Sequence, residues 1–160
     1  LRDMGAAMSP FNAFMFIQGM ETLHLRMKEH SANGQKVAEH LSKHSMVERV
    51  AYPGTSSGLP KERADKYLSN GCGGLLGFEI KGGHEAGKKF INSLEMLYHV
   101  ANIGDSRSLA IHPASTTHSQ LNEEELASGG ISSGYIRLSI GLEHIDDILA
   151  DIDQALAKAE

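Results

Sequence analysis

Four short apolar runs, each closed by glycine or proline, constrain this chain more than anything else in it. The pattern predicts strands over 47–52, 75–81, 97–103 and 135–140, stopped by Pro53-Gly54, Gly82-Gly83, Gly104 and Gly141. Between them the spacing turns helical. Helices are expected over 60–68, over 84–94 with Ala86, Phe90, Ile91 and Leu94 inward, over 123–127 with Asn122 as cap, and over 145–158 along Ile145, Ile148, Leu149, Ile152 and Leu156. Ahead of the first strand, Ser9-Pro10 is a helix start, with serine as cap and proline in the first turn. One long helix is expected from about 10 to about 43, with Gly19 and Gly34 as its weak points. Its first part is apolar on most sides (Phe11, Phe14, Met15, Phe16, Ile17) and should be buried, against something outside this chain if not within it. Strands this short and few, alternating with helices, fit an α/β (α+β) domain: a small, mainly antiparallel sheet of about four strands with helices packed on one face.

The remaining composition narrows the function classes. At 160 residues, 41% hydrophobic and 22% charged, the chain is the size of one globular domain. Its net charge of −5 argues against a nucleic-acid or anionic-membrane partner, either of which calls for a basic face. Cys72 is the single cysteine, so no internal disulfide can form and a reducing, cytoplasmic setting is expected. No stretch approaches the roughly 18 apolar residues a membrane span requires. Leu1-Arg2-Asp3 has neither signal-peptide character nor an initiating methionine, so a piece of a longer protein is the expectation.

Arg137 is the residue most open to a chemical role. In Tyr135-Ile136-Arg137-Leu138-Ser139-Ile140 the aliphatic residues take one side of a strand, leaving Tyr135, Arg137 and Ser139 on the other. A guanidinium is a rigid fork that matches a carboxylate in two bonds. On the strand alone, the commoner reading is an arginine paired with an acid on a neighbouring strand. The irregular stretch 104–120 shifts that balance, because long unstructured segments in compact domains are uncommon and often functional. It is dense in small hydrogen-bonding groups, which also suit turns and caps.

Other candidates fare less well. His40 and His44 stand four apart on a helix, but no neighbouring acid completes a zinc pattern, and a solvated helix face is the expected reading. His118 is expected to orient its loop through a backbone bond, in preference to catalysis. Cys72 sits among glycines with no base nearby in sequence. Gly71-x-Gly73-Gly74 matches neither a dinucleotide nor a P-loop fingerprint. No metal site is expected.

Five segments carry a further signal: Ser9-Pro10-Phe11-Asn12-Ala13; Gln18-Gly19-Met20-Glu21-Thr22-Leu23-His24-Leu25-Arg26-Met27; Ala101-Asn102-Ile103-Gly104-Asp105; His112-Pro113-Ala114-Ser115-Thr116-Thr117-His118; and Ile136-Arg137-Leu138-Ser139-Ile140-Gly141-Leu142-Glu143. In this order, across essentially the whole chain, they resemble the C-terminal part of the Cys/Met-metabolism enzymes that use pyridoxal phosphate. Asn102-Ile103-Gly104-Asp105 and the doubled Thr116-Thr117 are most similar to the branch that sulfhydrylates O-acetylhomoserine; related γ-lyases and cystathionine synthases usually carry serine at the Asn102 position.

The resemblance implies the C-terminal domain of the fold-type I architecture over residues 1–160, with the large pyridoxal-phosphate domain lying outside this chain. It implies that Arg137 binds the substrate α-carboxylate, that Asn102 helps hold that carboxylate through its side chain and neighbouring backbone, and that Thr117 lines the same pocket. The catalytic lysine and cofactor-binding residues are expected in the other domain. Lys28, Lys81, Lys88 and Lys89 match no cofactor motif, so this chain alone is expected to bind no cofactor and to be inactive. The implied partners are a small amino-acid substrate, the cofactor domain of the same protein, and further copies in a homo-oligomer, expected to be a tetramer. Other readings stand beside this one: the C-terminal domain of a related γ-lyase or cystathionine γ-synthase, a free-standing amino-acid-binding or regulatory module of the same fold, and an assembly element built on the apolar first helix.

Overall fold

Two helices open the chain where one long helix was expected. The computed structural model describes residues 3–160. It divides the N-terminal segment into α1 (Pro10–Glu21) and α2 (Leu23–Leu41) at Thr22. Ser9 caps α1 as expected, its hydroxyl accepting from the Asn12 amide at 3.2 Å. The break falls at neither Gly19 nor Gly34. At Thr22 the backbone leaves helical values (φ −103, ψ 2), and Arg26 reaches back across the joint, its guanidinium donating to the Gly19 carbonyl and to the Thr22 hydroxyl. Gly34 stays helical for a packing reason: a Cβ there would lie 2.6 Å from the Gly73 carbonyl oxygen, so only glycine lets α2 approach that backbone. No residue of α1 is buried within the chain.

After α2 come β1 (Val47–Ala51), α3 (Leu59–Tyr67), β2 (Leu75–Ile80), α4 (Gly83–Ser93), β3 (Tyr98–His99), β4 (Leu109–Ile111), α5 (Glu123–Ser128), β5 (Tyr135–Ser139) and α6 (Ile145–Ala159). The strands form one five-stranded sheet in the order β1-β2-β5-β4-β3. Only the β3–β4 pair is parallel, so the sheet is mainly antiparallel. The fifth strand, β4, lies inside the stretch expected to be irregular. Its Leu109, Ala110 and Ile111 are all buried, so it shows no alternation to announce it. The strand expected over 97–103 shrinks to two residues.

The helices cover one face. Val37, Ala38 and Leu41 of α2, Phe90 and Ile91 of α4, and Ile148, Ile152, Ala155 and Leu156 of α6 pack against Leu76, Phe78, Ile80, Ile136 and Leu138 of β2 and β5. Phe78 and Phe90 meet edge to face at 5.4 Å between ring centres. The alternation of β5 does what its sequence implies. Ile136 and Leu138 are fully buried under the helices, while Tyr135 and Arg137 face the other way and are half-exposed.

Loops are tied down by buried polar groups. The Asp151 carboxylate on α6 accepts the amides of Glu95, Met96 and Leu97 at 2.8–2.9 Å, fixing the turn after α4. His112 is fully buried. Its Nε2–H donates to the Ser133 carbonyl at 2.7 Å and its Nδ1 accepts from the Ser115 hydroxyl at 2.8 Å. Burial holds its pKa below the usual histidine value. Among the described residues no helix is long and apolar enough to cross a membrane.

Candidate functional site

The face of the sheet away from the helices is laid out by strand register. Arg49, Glu79 and Tyr135 form one row across β1, β2 and β5. Ala51, Gly77, Arg137 and Ile111 form the next. Leu75, Ser139 and Leu109 form the third. In the first row Arg49 holds Glu79 at 2.6 Å, and that acid is the only carboxylate on the strand beside Arg137. The neighbours of Arg137 in its own row are glycine, alanine and isoleucine, which offer no counter-charge. Across the diagonal, the Tyr135 ring lies over Gly77 in the space a Cβ would fill.

Arg137 therefore makes no ion pair among the described residues. Its one hydrogen bond among the described residues runs from Nη2 to the backbone carbonyl of Asn102, 3.3 Å away. The remaining donors of the fork have no partner among the described residues. The pairing with a neighbouring acid that the strand alone suggested does not occur.

The segment around Asn102 lies against the open end of β5. The Gly104 amide donates to the Ser139 hydroxyl at 3.2 Å, and Gly104 adopts φ +77, in the left-handed region. The Asn102 side chain turns back on its own loop, accepting the Ile103 amide at 3.0 Å. Thus Arg137 and Asn102 meet, but through the asparagine backbone. Thr117 is exposed, its hydroxyl bonded to Nδ1 of His118 at 2.8 Å, and no hydrogen bond joins it to Arg137 or Asn102. His118 sends its backbone amide to the Pro113 carbonyl at 2.9 Å; the side chain that locks this loop is His112.

Asp105 accepts the Arg107 backbone amide at 3.0 Å, which with the nearby guanidinium holds its carboxyl below the ordinary aspartate range. Arg107 lies 4.4 Å over the Tyr98 ring. His40, expected on a solvated face, is half-buried and bound to Asp153 at 2.6 Å. Among the described residues no three histidines, cysteines or acids gather as a metal site.

On the open sheet face, then, an arginine without an acid partner among the described residues lies beside a hydrogen-bonding loop. The chain belongs to the Cys/Met metabolism PLP-dependent enzymes, whose family model matches residues 1–157. It is 57% identical to the O-acetyl-L-homoserine sulfhydrylase of Leptospira meyeri, over 98% of this chain and 36% of that protein. It is 46% identical to the homocysteine synthase of Schizosaccharomyces pombe, over 99% of this chain and 37% of that protein, and 47% identical to the L-methionine gamma-lyase of Pseudomonas putida, over 98% and 39%. A crystal structure from Campylobacter jejuni, assigned as an O-acetylhomoserine (thiol)-lyase and containing a pyridoxyl-lysine phosphate residue, superposes with a TM-score of 0.87 at 46% identity, covering 98% of this chain and 37% of that one. The chain thus spans a little over a third of the length of these relatives.

The described residues do not by themselves fit the family's cofactor. Every lysine among them is exposed, from Lys28 on α2 to Lys158 on α6, and none is enclosed as a Schiff-base lysine must be.

Proposed function

We propose that this chain is the substrate-carboxylate domain, residues 1–160, of a pyridoxal-phosphate-dependent sulfhydrylase. In the whole protein, O-acetylhomoserine and sulfide or a thiol give homocysteine or methionine, with acetate released. The observation that carries this reading is the fork of Arg137: charged, half-exposed, without an acid, and held beside the Asn102 loop. A guanidinium so placed offers paired donors to the planar α-carboxylate of an amino acid. The similarity to O-acetylhomoserine sulfhydrylases supports the choice of substrate. Asn102 contributes through its carbonyl, which orients the guanidinium. Thr117 lines the pocket in this reading, its hydroxyl freed from His118 when substrate and the cofactor domain are in place.

The cofactor, the lysine that carries it and the bond-breaking chemistry belong to the other domain of the same protein. The exposed apolar face of α1, with Phe11, Phe14, Phe16, Ile17 and Met20 all more than half exposed, is assigned to contacts within a homo-oligomer of the full-length protein. A cytoplasmic location fits the single unpaired cysteine.

A γ-lyase reading is favoured by one observation, the similarity to the methionine gamma-lyase. The full-length protein separates the two. Release of acetate from O-acetylhomoserine, dependent on sulfide or methanethiol, is expected. Release of methanethiol from methionine as the dominant activity would replace the sulfhydrylase reading with the lyase one.

A further inference from the structure

The contact between Arg137 and the Asn102 carbonyl joins β5 to a loop that follows β3, and something must hold that loop at the right distance. At 3.3 Å the contact is already long for a hydrogen bond, so a small outward shift of the loop would break it. Ser139 holds the near end through the Gly104 amide. The far end is held by Glu143, just beyond β5. One carboxylate oxygen accepts the Ser108 amide at 2.6 Å, and the other accepts the Ser108 hydroxyl at 2.9 Å. The same hydroxyl oxygen accepts the Gly141 amide at 2.8 Å, and Leu142 sends its amide to the Ser106 carbonyl at 2.8 Å.

Ser108 is fully buried. Gly141 has to be glycine, because a Cβ there would strike the Glu143 carboxylate and the backbone of Ser106 and Arg107. From the other side, Asn33 on α2 donates to the carbonyls of Gly141 and Glu143 at 3.2 and 3.1 Å, anchoring the turn to the helix layer. Glu143 makes no ion pair among the described residues, so its charge is directed at one serine of the loop. Two bonds from an ionised acceptor to one residue fix orientation as well as distance.

We propose that Glu143 is a positioning residue for the carboxylate site: by gripping Ser108 it sets the loop that keeps Arg137 aimed. This rests on the reading of Arg137 as the carboxylate clamp. The test is steady-state kinetics of the full-length holoenzyme with O-acetylhomoserine at saturating sulfide. A sub-ångström misplacement of a binding group is costly, so Glu143→Ala is expected to raise KM about tenfold while kcat changes less than about threefold. Glu143→Gln keeps an acceptor for the Ser108 amide and is expected to recover KM to within about threefold of the parent. In an Arg137→Ala background, Glu143→Ala should add less than about twofold, because residues acting through one contact are not additive. Ser108→Ala, which removes one of the two bonds and spares the acid, should raise KM by about threefold, and it carries the test if Glu143→Ala does not fold. An unchanged KM in Glu143→Ala or Ser108→Ala, or effects of Glu143→Ala and Arg137→Ala that multiply in full, would overturn the proposal. If Arg137→Ala itself leaves KM unchanged, the clamp reading fails, and this inference with it. If Arg137→Ala raises KM and the Glu143 and Ser108 variants do not, only this inference fails.

Discussion

Arg137 is set apart by what its neighbours already hold. Glu79 lies one row away and is taken by Arg49 at 2.6 Å, while Gly77 and Ile111 flank Arg137 with nothing to offer it. Asp151 is the opposite case, a charge wholly spent on structure. Burial pushes its carboxyl up, but the amides of Leu97, Glu95 and Met96, with the Gln154 side chain, outweigh that and hold it below the ordinary aspartate value of 3.8. A depressed folded-state pKa stabilises above the unfolded value and loses that contribution as pH falls through the folded one. Asp151→Asn puts a donor where three amides donate. It is expected to cost about 1–3 kcal/mol in urea unfolding at neutral pH, with the deficit narrowing as pH falls below about 4. An equal deficit at pH 7 and pH 3 would show that the charge is not what matters.

At the scale of elements, α2 illustrates a local preference overruled by packing. Gly34→Ala should improve helix propensity by about 1 kcal/mol. The new Cβ would meet the Gly73 carbonyl at 2.6 Å and the Tyr52 hydroxyl at 3.3 Å, and overpacking of this kind costs about 1–3 kcal/mol. The backbone carbonyl cannot swing aside as a side-chain tip does, so net destabilisation is expected, read as a lower thermal midpoint; a raised midpoint would show that the loop ahead of β2 yields. The same contrast between local and long-range effects explains what was legible in the sequence. The helices over α3, α4, α5 and α6 and the strands β1, β2 and β5 follow from periodicity and caps, down to Asn122, which forms a full capping box with Glu125. The division at Thr22 was not legible, because neither glycine nor proline stands at the joint that Arg26 folds back over. Nor was β4, three residues buried on both faces. At the site, Arg137 stood out on its strand, but the Asn102 carbonyl, the grip of Glu143 on Ser108 and the lock on His112 join residues 21 to 35 apart in sequence, and no local spacing announces them.

For the whole molecule, the proposed function divides labour between this chain and a separate cofactor domain. All lysines of the described residues are exposed, so mixing this chain with pyridoxal phosphate is expected to give no specific internal-aldimine band; a stoichiometric band that borohydride bleaches, leaving a reduced pyridoxyl adduct mapped by mass spectrometry to one lysine, would contradict the division. In the full-length protein the apolar face of α1 should be covered. Phe14→Asp is therefore expected to lower the assembly mass in light scattering, and an unchanged mass would remove α1 from the interface. The central claim is that this domain holds the substrate by its carboxylate. The most direct test is the efficiency, kcat/KM, of Arg137→Ala and Arg137→Lys in the full-length enzyme with O-acetylhomoserine. Loss of a charged partner in such a site predicts a drop of about 2–5 kcal/mol for alanine. Lysine should recover little of it, since a point charge cannot replace the fork. Efficiency within about twofold of the parent for Arg137→Ala would contradict the account.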